Sequence, residues 1–327
     1  MDARERLRGN VLETPCVEAP ALAEEAGCAR LLLKRDHLQP TGSFKERGAA
    51  NALALLPLRA RERGAIAASA GNHALGLARH GARLGIPVTL VMPLGAARAK
   101  VQRCRALGAQ VVLAGERFED AEAHARQLAR EHGASFIHPF DDEAVIAGQG
   151  TMGLEILEQV PDCDVLVVAV GGGGLLAGVA TVVKTLRPEV RVVAVEPAAA
   201  PCFTAALLAG HPVNAPVLPT FADGLAVARA GRNTTEIAAR LVDDVVTVSE
   251  DEIAWAMLRL FETDRVAVEG AGATALAAIL AGRVGDISGA TVVAPVCGAN
   301  VDASVFARAL AAGLARRTET AIGVEAI

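Results

Sequence analysis

The sequence predicts an α/β fold, a parallel sheet under helical cover, on three observations. Short apolar runs alternate with helix-length segments along nearly the whole chain, the connections between them are short, and glycine follows the helices at Gly85, Gly108 and Gly133. Such alternation is what strand–helix–strand units leave in a sequence, and glycine just past a helix readily takes the left-handed conformation that ends it. In order, a short helix is expected at 3–8, a second at 19–26 after Thr14 and Pro15, and a strand at 30–34. A helix at 43–56 is stopped by Pro57. The apolar run 64–68 breaks off at Ser69, Ala70, Gly71, Asn72 and His73 and passes into a helix reaching about residue 84. Two like units follow, strand 88–92 with helix 97–107 and strand 110–113 with helix 118–132. Strand 135–137 leads through the loop 138–142 to a helix at 146–160, and then to the most apolar strand, 165–170. Four glycines, a helix at 175–186 and a strand at 191–195 come next. Residues 198–233 read as loop with one helix. Strand 245–248, helices 250–262 and 271–280, and a last strand 291–296 complete the chain up to a helix after Asn300. No fixed-period repeat or Pro/Gly/Ser-rich linker divides it, so two lobes would require the chain to cross between them more than once.

Composition excludes several classes. With 52 % hydrophobic residues among 327, core material suffices for one large domain or two smaller ones. A net charge of −5, with arginines scattered among acids, offers no basic face for nucleic acid. The charged start MDARERLRGN, and apolar runs broken by glycine or charge, argue against a membrane span, so a cytoplasmic protein is expected. Cys16, Cys28, Cys104, Cys163, Cys202 and Cys297 are widely spaced without a CxxC pair, which predicts reduced thiols. The sequence has no tyrosine, so no phenol can serve as acid or base.

The segment TGSFKERG, residues 41–48, places Lys45 behind a glycine-serine turn at an expected helix start. Only Lys34, Lys45, Lys100 and Lys184 stand against a large excess of arginine, whose guanidinium stays protonated, so carbonyl chemistry needs one of these four amines. Gly42 permits an unusual backbone, Ser43 can cap the helix, and the helix N-terminal field disfavours an ammonium. A lowered pKa would make the amine nucleophilic near neutrality. Taken alone, a lysine more often lies on a solvated face beside an acid. Gly171, Gly172, Gly173 and Gly174, between a strand and a helix, form an anion cradle for which phosphate is the expected occupant. Gly172, Gly174 and Ala177, with Glu196 ending the next strand, also satisfy part of a dinucleotide pattern, and a plain tight turn would use glycine too. Ser69, Asn72 and His73 mark a second strand-to-helix junction that can bind a carboxylate through backbone N–H groups, with Asn72 able to donate to a phenolate-like oxygen. By themselves, Ser69 would more often cap a helix, His73 lie at the surface and Cys297 be a small buried hydrophobe.

In sequence order, GSFKERG, SAGNHA, the HPFDD and IAGQGT segments within 138–151, the four glycines, ADGLAV at 222–227 and the final CGAN resemble one family. It is the serine/threonine dehydratase and serine racemase branch of fold-type II pyridoxal phosphate enzymes. The resemblance covers nearly the whole chain. It implies a tryptophan synthase beta-like fold, two doubly wound parallel-sheet lobes with the cofactor between them. Residues 1–63 and 142–327 would form the large cofactor-binding lobe and residues 64–141 the small lobe that closes on substrate.

The resemblance further implies that Lys45 carries pyridoxal 5′-phosphate covalently and takes the α-proton, and that Gly171, Gly172, Gly173 and Gly174 hold the phosphate. Asn72 would reach the ring hydroxyl, Phe44 and Gly224 would flank the ring, Glu269 would lie near the cofactor, and Cys297 would face the pyridine nitrogen. Ser69 with the amides of Asn72 and His73 would hold the carboxylate of a small amino-acid substrate. A neutral thiol cannot enforce a protonated ring, which suits β-elimination better than transamination. Racemases of the branch carry a serine where this chain has Ala70, which has no proton to give. Dehydration of L-threonine or L-serine is therefore expected, with serine racemisation or hydroxyaspartate dehydration as alternatives on the same fold. Glu196, the Ala200 carbonyl and Cys202 align with a divalent-metal site of the branch, but sulfur suits a hard cation poorly and no metal is assigned. Leu75 stands where many relatives have glutamine. A homodimer or homotetramer without a C-terminal regulatory domain, and without nucleic acid or membrane as partner, completes the expectation. From other classes, a nicotinamide-dependent oxidoreductase and a silent amino-acid-binding protein remain as rivals.

Overall fold

The computed structural model describes residues 1–325. Strands β1 (Cys16–Glu18) and β2 (Arg30–Lys34) start one sheet, which is then interrupted by a second sheet made of β3 (Ala65–Ala68), β4 (Val88–Met92), β5 (Gln110–Leu113) and β6 (Ser135–Phe136). The chain returns to the first sheet with β7 (Val165–Ala169), β8 (Arg191–Pro197), β9 (Asp244–Val248) and β10 (Thr291–Pro295). The six-stranded order is β1-β2-β10-β7-β8-β9 and the four-stranded order β5-β4-β3-β6. Neighbours run parallel except at the edge, where β1 is antiparallel to β2.

Parallel strands joined by helices are covered on both faces, and β3, β7 and β10 are buried at every position. Alternate residues go to opposite faces. Leu31 and Leu33 join Val167, Val193 and Val195 on one side of the large sheet, while Leu32 joins Leu166, Val168, Val192 and Ala194 on the other. In the smaller sheet Ala65, Ala67, Val88 and Leu90 face one core, and Ile66, Ala68 and Val91 another.

Most element boundaries lie within one or two residues of expectation, and the departures have causes. The helix Lys45–Leu55 begins after Ser43, whose buried hydroxyl makes no cap and has no hydrogen-bond partner among the described residues. Instead the Ser43 backbone bridges to Gly298, drawing the lysine turn onto the loop after β10. The helix Glu143–Gln159 starts early because Asp142 accepts from the N–H groups of Ala144 and Val145 at 2.8 and 3.1 Å. Strand β1, the helix Leu58–Arg63 and the helix Arg232–Leu241 carry no clear signal in the sequence. The last opens on Arg-Asn-Thr-Thr, and mostly poor helix formers occupy its first turn. Its cap comes from far along the chain: Asp141 accepts from the N–H groups of Arg232, Asn233 and Thr234 at 3.0, 2.9 and 3.3 Å. No helix among the described residues is long and apolar enough to cross a membrane.

Candidate active site

Ligands of open α/β sheets sit at the carboxyl ends of strands, and here the loops after β3, β7 and β10 open onto one cleft of about 1040 Å³. Phe44, Lys45, Ser69, Asn72, His73, Gly171, Gly172, Gly173, Gly174, Gly224, Glu269 and Cys297 all line it. The fold thus brings together every residue that the resemblance placed around the cofactor and the substrate.

Lys45 is the first residue of its helix, delivered by a turn in which Gly42 has φ 80°. Its Nζ donates to the Pro139 carbonyl at 2.7 Å and lies 5.2 Å from the centroid of the Phe44 ring. Burial pushes the amine down to about 8, against a weaker upward pull from Cys297 and Glu269. Burial also holds the Cys297 thiol well above the ordinary range, so it remains S–H at neutral pH, 3.5 Å from the Pro295 carbonyl. Of the two, only Glu269 can carry a negative charge near neutral pH, and it makes no ion pair with Lys45.

Glu269 is buried, and burial followed by the nearby Asp223 pushes it up to about 7. Its Oε1 accepts from the Asn72 side chain at 2.7 Å. Asn72 Oδ1 in turn accepts from Asn300 Nδ2 at 2.7 Å, and Asn300 Oδ1 accepts from Arg103 at 2.6 Å. Arginine only donates, so Asn300 must turn its oxygen to Arg103 and its nitrogen to Asn72. That leaves the Asn72 amide nitrogen facing Glu269 and the cleft.

The histidine is not at the surface. His73 is buried, its Nε2 is 3.4 Å from the Ile137 carbonyl, and burial, then the Lys45 charge, push it down to about 3. It is neutral at every working pH. Ser69 Oγ accepts from the Gly71 N–H at 3.2 Å, while the N–H groups of Asn72 and His73 make no hydrogen bond among the described residues. The same is true of the N–H groups of Gly171, Gly172 and Gly173. Close approach on the protein side explains the glycines: a Cβ on Gly172 would lie 2.4 Å from the Phe140 ring, and one on Gly174 2.8 Å from the Phe140 carbonyl. Gly173 has φ 98°, a conformation that only glycine takes without strain.

Pro139 and Phe140 line the cleft and Asn300 orients Asn72 beside it, although the sequence assigns them no role. Their signal lay in the HPFDD and CGAN segments, but what each touches depends on partners about 30 to 260 residues away. Glu196, by contrast, is turned inward. Both its oxygens are engaged, accepting from the Phe203 N–H at 2.9 Å and the Thr204 N–H at 2.8 Å, so no ribose-binding acid stands beside the glycines. Cys202 points its sulfur at the Gly171 carbonyl, 3.6 Å away.

Comparison with known proteins gives the family. The profile of the family described as pyridoxal-phosphate dependent enzyme matches residues 7–298. L-threonine ammonia-lyase of Geobacter sulfurreducens is 45% identical over 313 residues, covering 96% of this chain and 77% of that protein. Among solved structures, the processed form of threonine deaminase isoform 2 from Solanum lycopersicum has a TM-score of 0.91 at 38% identity, covering 95% of this chain and 91% of that one. Serine racemase from Dictyostelium discoideum has a TM-score of 0.86 at 36% identity, covering 92% and 97%. A buried lysine and a run of glycines on one cleft coincide with a family match over residues 7–298, and the chain belongs to the pyridoxal-phosphate dependent enzymes.

Proposed function

We propose that this enzyme removes water and then ammonia from L-threonine, and from L-serine, giving 2-oxobutyrate or pyruvate. One observation carries the assignment: an amine without an ion-pair partner among the described residues and a row of unengaged backbone N–H groups face the same cleft. These groups fit pyridoxal phosphate. Lys45 would hold its aldehyde carbon, the glycine run its phosphate and Asn72 its ring oxygen, with Phe44 and Gly224 at the ring faces and the Cys297 thiol at the ring nitrogen. Bound there, the cofactor supplies a sink for the electron pair left when a Cα–H bond breaks.

The chain's own groups do the rest. Lys45, with its pKa near 8, is partly unprotonated at neutral pH and takes the α-proton. Ser69 and the N–H groups of Asn72 and His73, at the start of the helix Asn72–Leu84, receive the substrate carboxylate. Neutral His73 adds no charge that would raise or lower the proton affinity of Lys45. The β-hydroxyl leaves with one proton as water, the proton that Lys45 takes from Cα balancing it, and the released enamine hydrolyses to a 2-oxo acid and ammonia. Residues 64–141, which carry Ser69, Asn72 and His73, act as the closing lobe. Ala70 lines the same cleft without an exchangeable proton, which supports elimination over racemisation. The threonine ammonia-lyase and threonine deaminase relatives support the choice of substrate.

Titration of the purified enzyme with L-threonine and with L-serine, reading the absorbance spectrum and 2-oxo acid release together, tests the assignment. Steady 2-oxo acid from L-threonine is the expected result. Cofactor colour without 2-oxo acid, or D-serine as the main product from L-serine, overturns it. A cytoplasmic homodimer or homotetramer belongs to the same proposal, supported by the family resemblance, and sedimentation velocity tests the assembly.

A further inference from the structure

We infer that Thr234 is a positioning residue for cofactor phosphate, acting through the peptide between Gly172 and Gly173; this rests on the glycine run being the phosphate cradle. The Gly172 carbonyl accepts from Thr234 Oγ1 at 2.7 Å and from the Gly231 N–H at 3.2 Å. A trans peptide is planar, so its carbonyl and its N–H point in opposite directions. Anchoring the Gly172 oxygen on the helix Arg232–Leu241 therefore turns the Gly173 N–H the other way, toward the cleft that both glycines line.

The anchor is needed because glycine stands on both sides of that peptide. A peptide flanked by two glycines can rotate at little steric cost, and a flip would present a carbonyl oxygen, with its partial negative charge, to a phosphate. Thr234 is fully buried, so water does not replace its hydroxyl easily. Its Oγ1 also lies 3.2 Å from the Gly231 carbonyl, but the single hydroxyl proton is better placed for the shorter contact with Gly172.

Asp141 fixes where this hydroxyl sits. Its carboxylate accepts from the N–H groups of Arg232, Asn233 and Thr234, so the helix that carries Thr234 is held from the loop whose Phe140 ring packs on Gly172. That helix start is already engaged by a carboxylate, whereas no side chain caps the start of the helix Gly174–Leu186, which is left open to an anion.

The test compares the full-length enzyme with Thr234→Val, which keeps the shape and removes the hydroxyl, and with Thr234→Ser, which restores it. Each protein, freed of cofactor, is titrated by equilibrium dialysis with pyridoxal phosphate and, separately, with pyridoxal. Thr234→Val is expected to weaken pyridoxal phosphate binding by about tenfold, the scale of one buried hydrogen bond, and to leave pyridoxal binding unchanged. Thr234→Ser should recover most of the loss. Equal weakening of both ligands, or no weakening at all, overturns the inference. Wild-type enzyme that binds pyridoxal as tightly as pyridoxal phosphate overturns the cradle itself and the inference with it. If Thr234→Val fails to fold, Thr234→Ala carries the same expectation and the same overturning results.

Discussion

Lys45 and Arg47 leave the same turn of one helix and meet opposite surroundings. Arg47 is buried against Asp36, with two bonds of 2.7 Å, and reaches Glu155 at 2.8 Å and Thr151 at 3.0 Å. Lys34 completes the group at 2.6 Å from Glu155, and Thr14 donates to Asp36 at 2.6 Å. Two cations and two anions cancel there. Burial alone would raise Asp36, yet Arg47 and Thr14 hold it below the usual carboxylate range, and the Arg47 guanidinium is held above its ordinary value. In the cleft two residues earlier, Lys45 has no such partner, and burial moves it toward neutrality instead. Depth is common to both regions; pairing decides whether a buried charge is permanent and structural or titratable and reactive.

The contrast can be broken in four ways, from the largest effect to the smallest. Lys45→Ala should lower threonine turnover by at least ~10³-fold, since both covalent and base chemistry are lost, while urea unfolding stays near wild type. Full turnover in that variant would remove Lys45 from the mechanism. Arg47→Leu should cost about 3–5 kcal/mol in unfolding free energy, because Asp36 and Glu155 would face Lys34 alone. Wild-type stability there would mean that the buried quartet contributes nothing.

Glu269 gives the pH test. Its folded pKa of about 7 lies above the unfolded 4.5, so the unfolded state releases its proton first as pH rises. Stability from this group is present below pH 4.5 and lost as pH rises through 7. Glu269→Gln mimics the protonated form, and should raise the melting temperature of cofactor-free protein at pH 8 by roughly 2–5 °C, with no gain at pH 4. An equal gain at both pH values would assign the effect to packing rather than to charge. Lys100→Ala, finally, removes a partly exposed pair with Asp223 at 3.3 Å, and is expected to change stability by less than about 1 kcal/mol. A larger loss would show that this surface pair matters to the molecule as much as a buried one.

Local chemistry made much of the site legible. Lys45 stood out because the chain has four lysines and this one follows a glycine turn. The glycine run stood out because a run of four between an apolar strand and a helix has few uses. Ser43 misled for the same local reason: a serine before a helix reads as a cap, but its backbone is claimed by Gly298 and the helix starts two residues later. What Asn300, Pro139 and Thr234 touch was illegible, since a side-chain amide, a backbone carbonyl and a threonine hydroxyl acquire meaning only from the group opposite.

By itself the amino-acid sequence determined the strand-helix alternation and the helical cover of the central strands, and it pointed to Lys45 as the candidate reactive amine, because each follows from residue type and spacing along one segment. Tertiary structure alone decided that the helix Arg232–Leu241 exists with Asp141 as its cap, that Arg47 is neutralised while Lys45 is not, and which way Asn72 turns its amide. Those outcomes depend on electrostatic and hydrogen-bond partners brought from distant parts of the chain, and a linear pattern does not record which charges will be neighbours after folding.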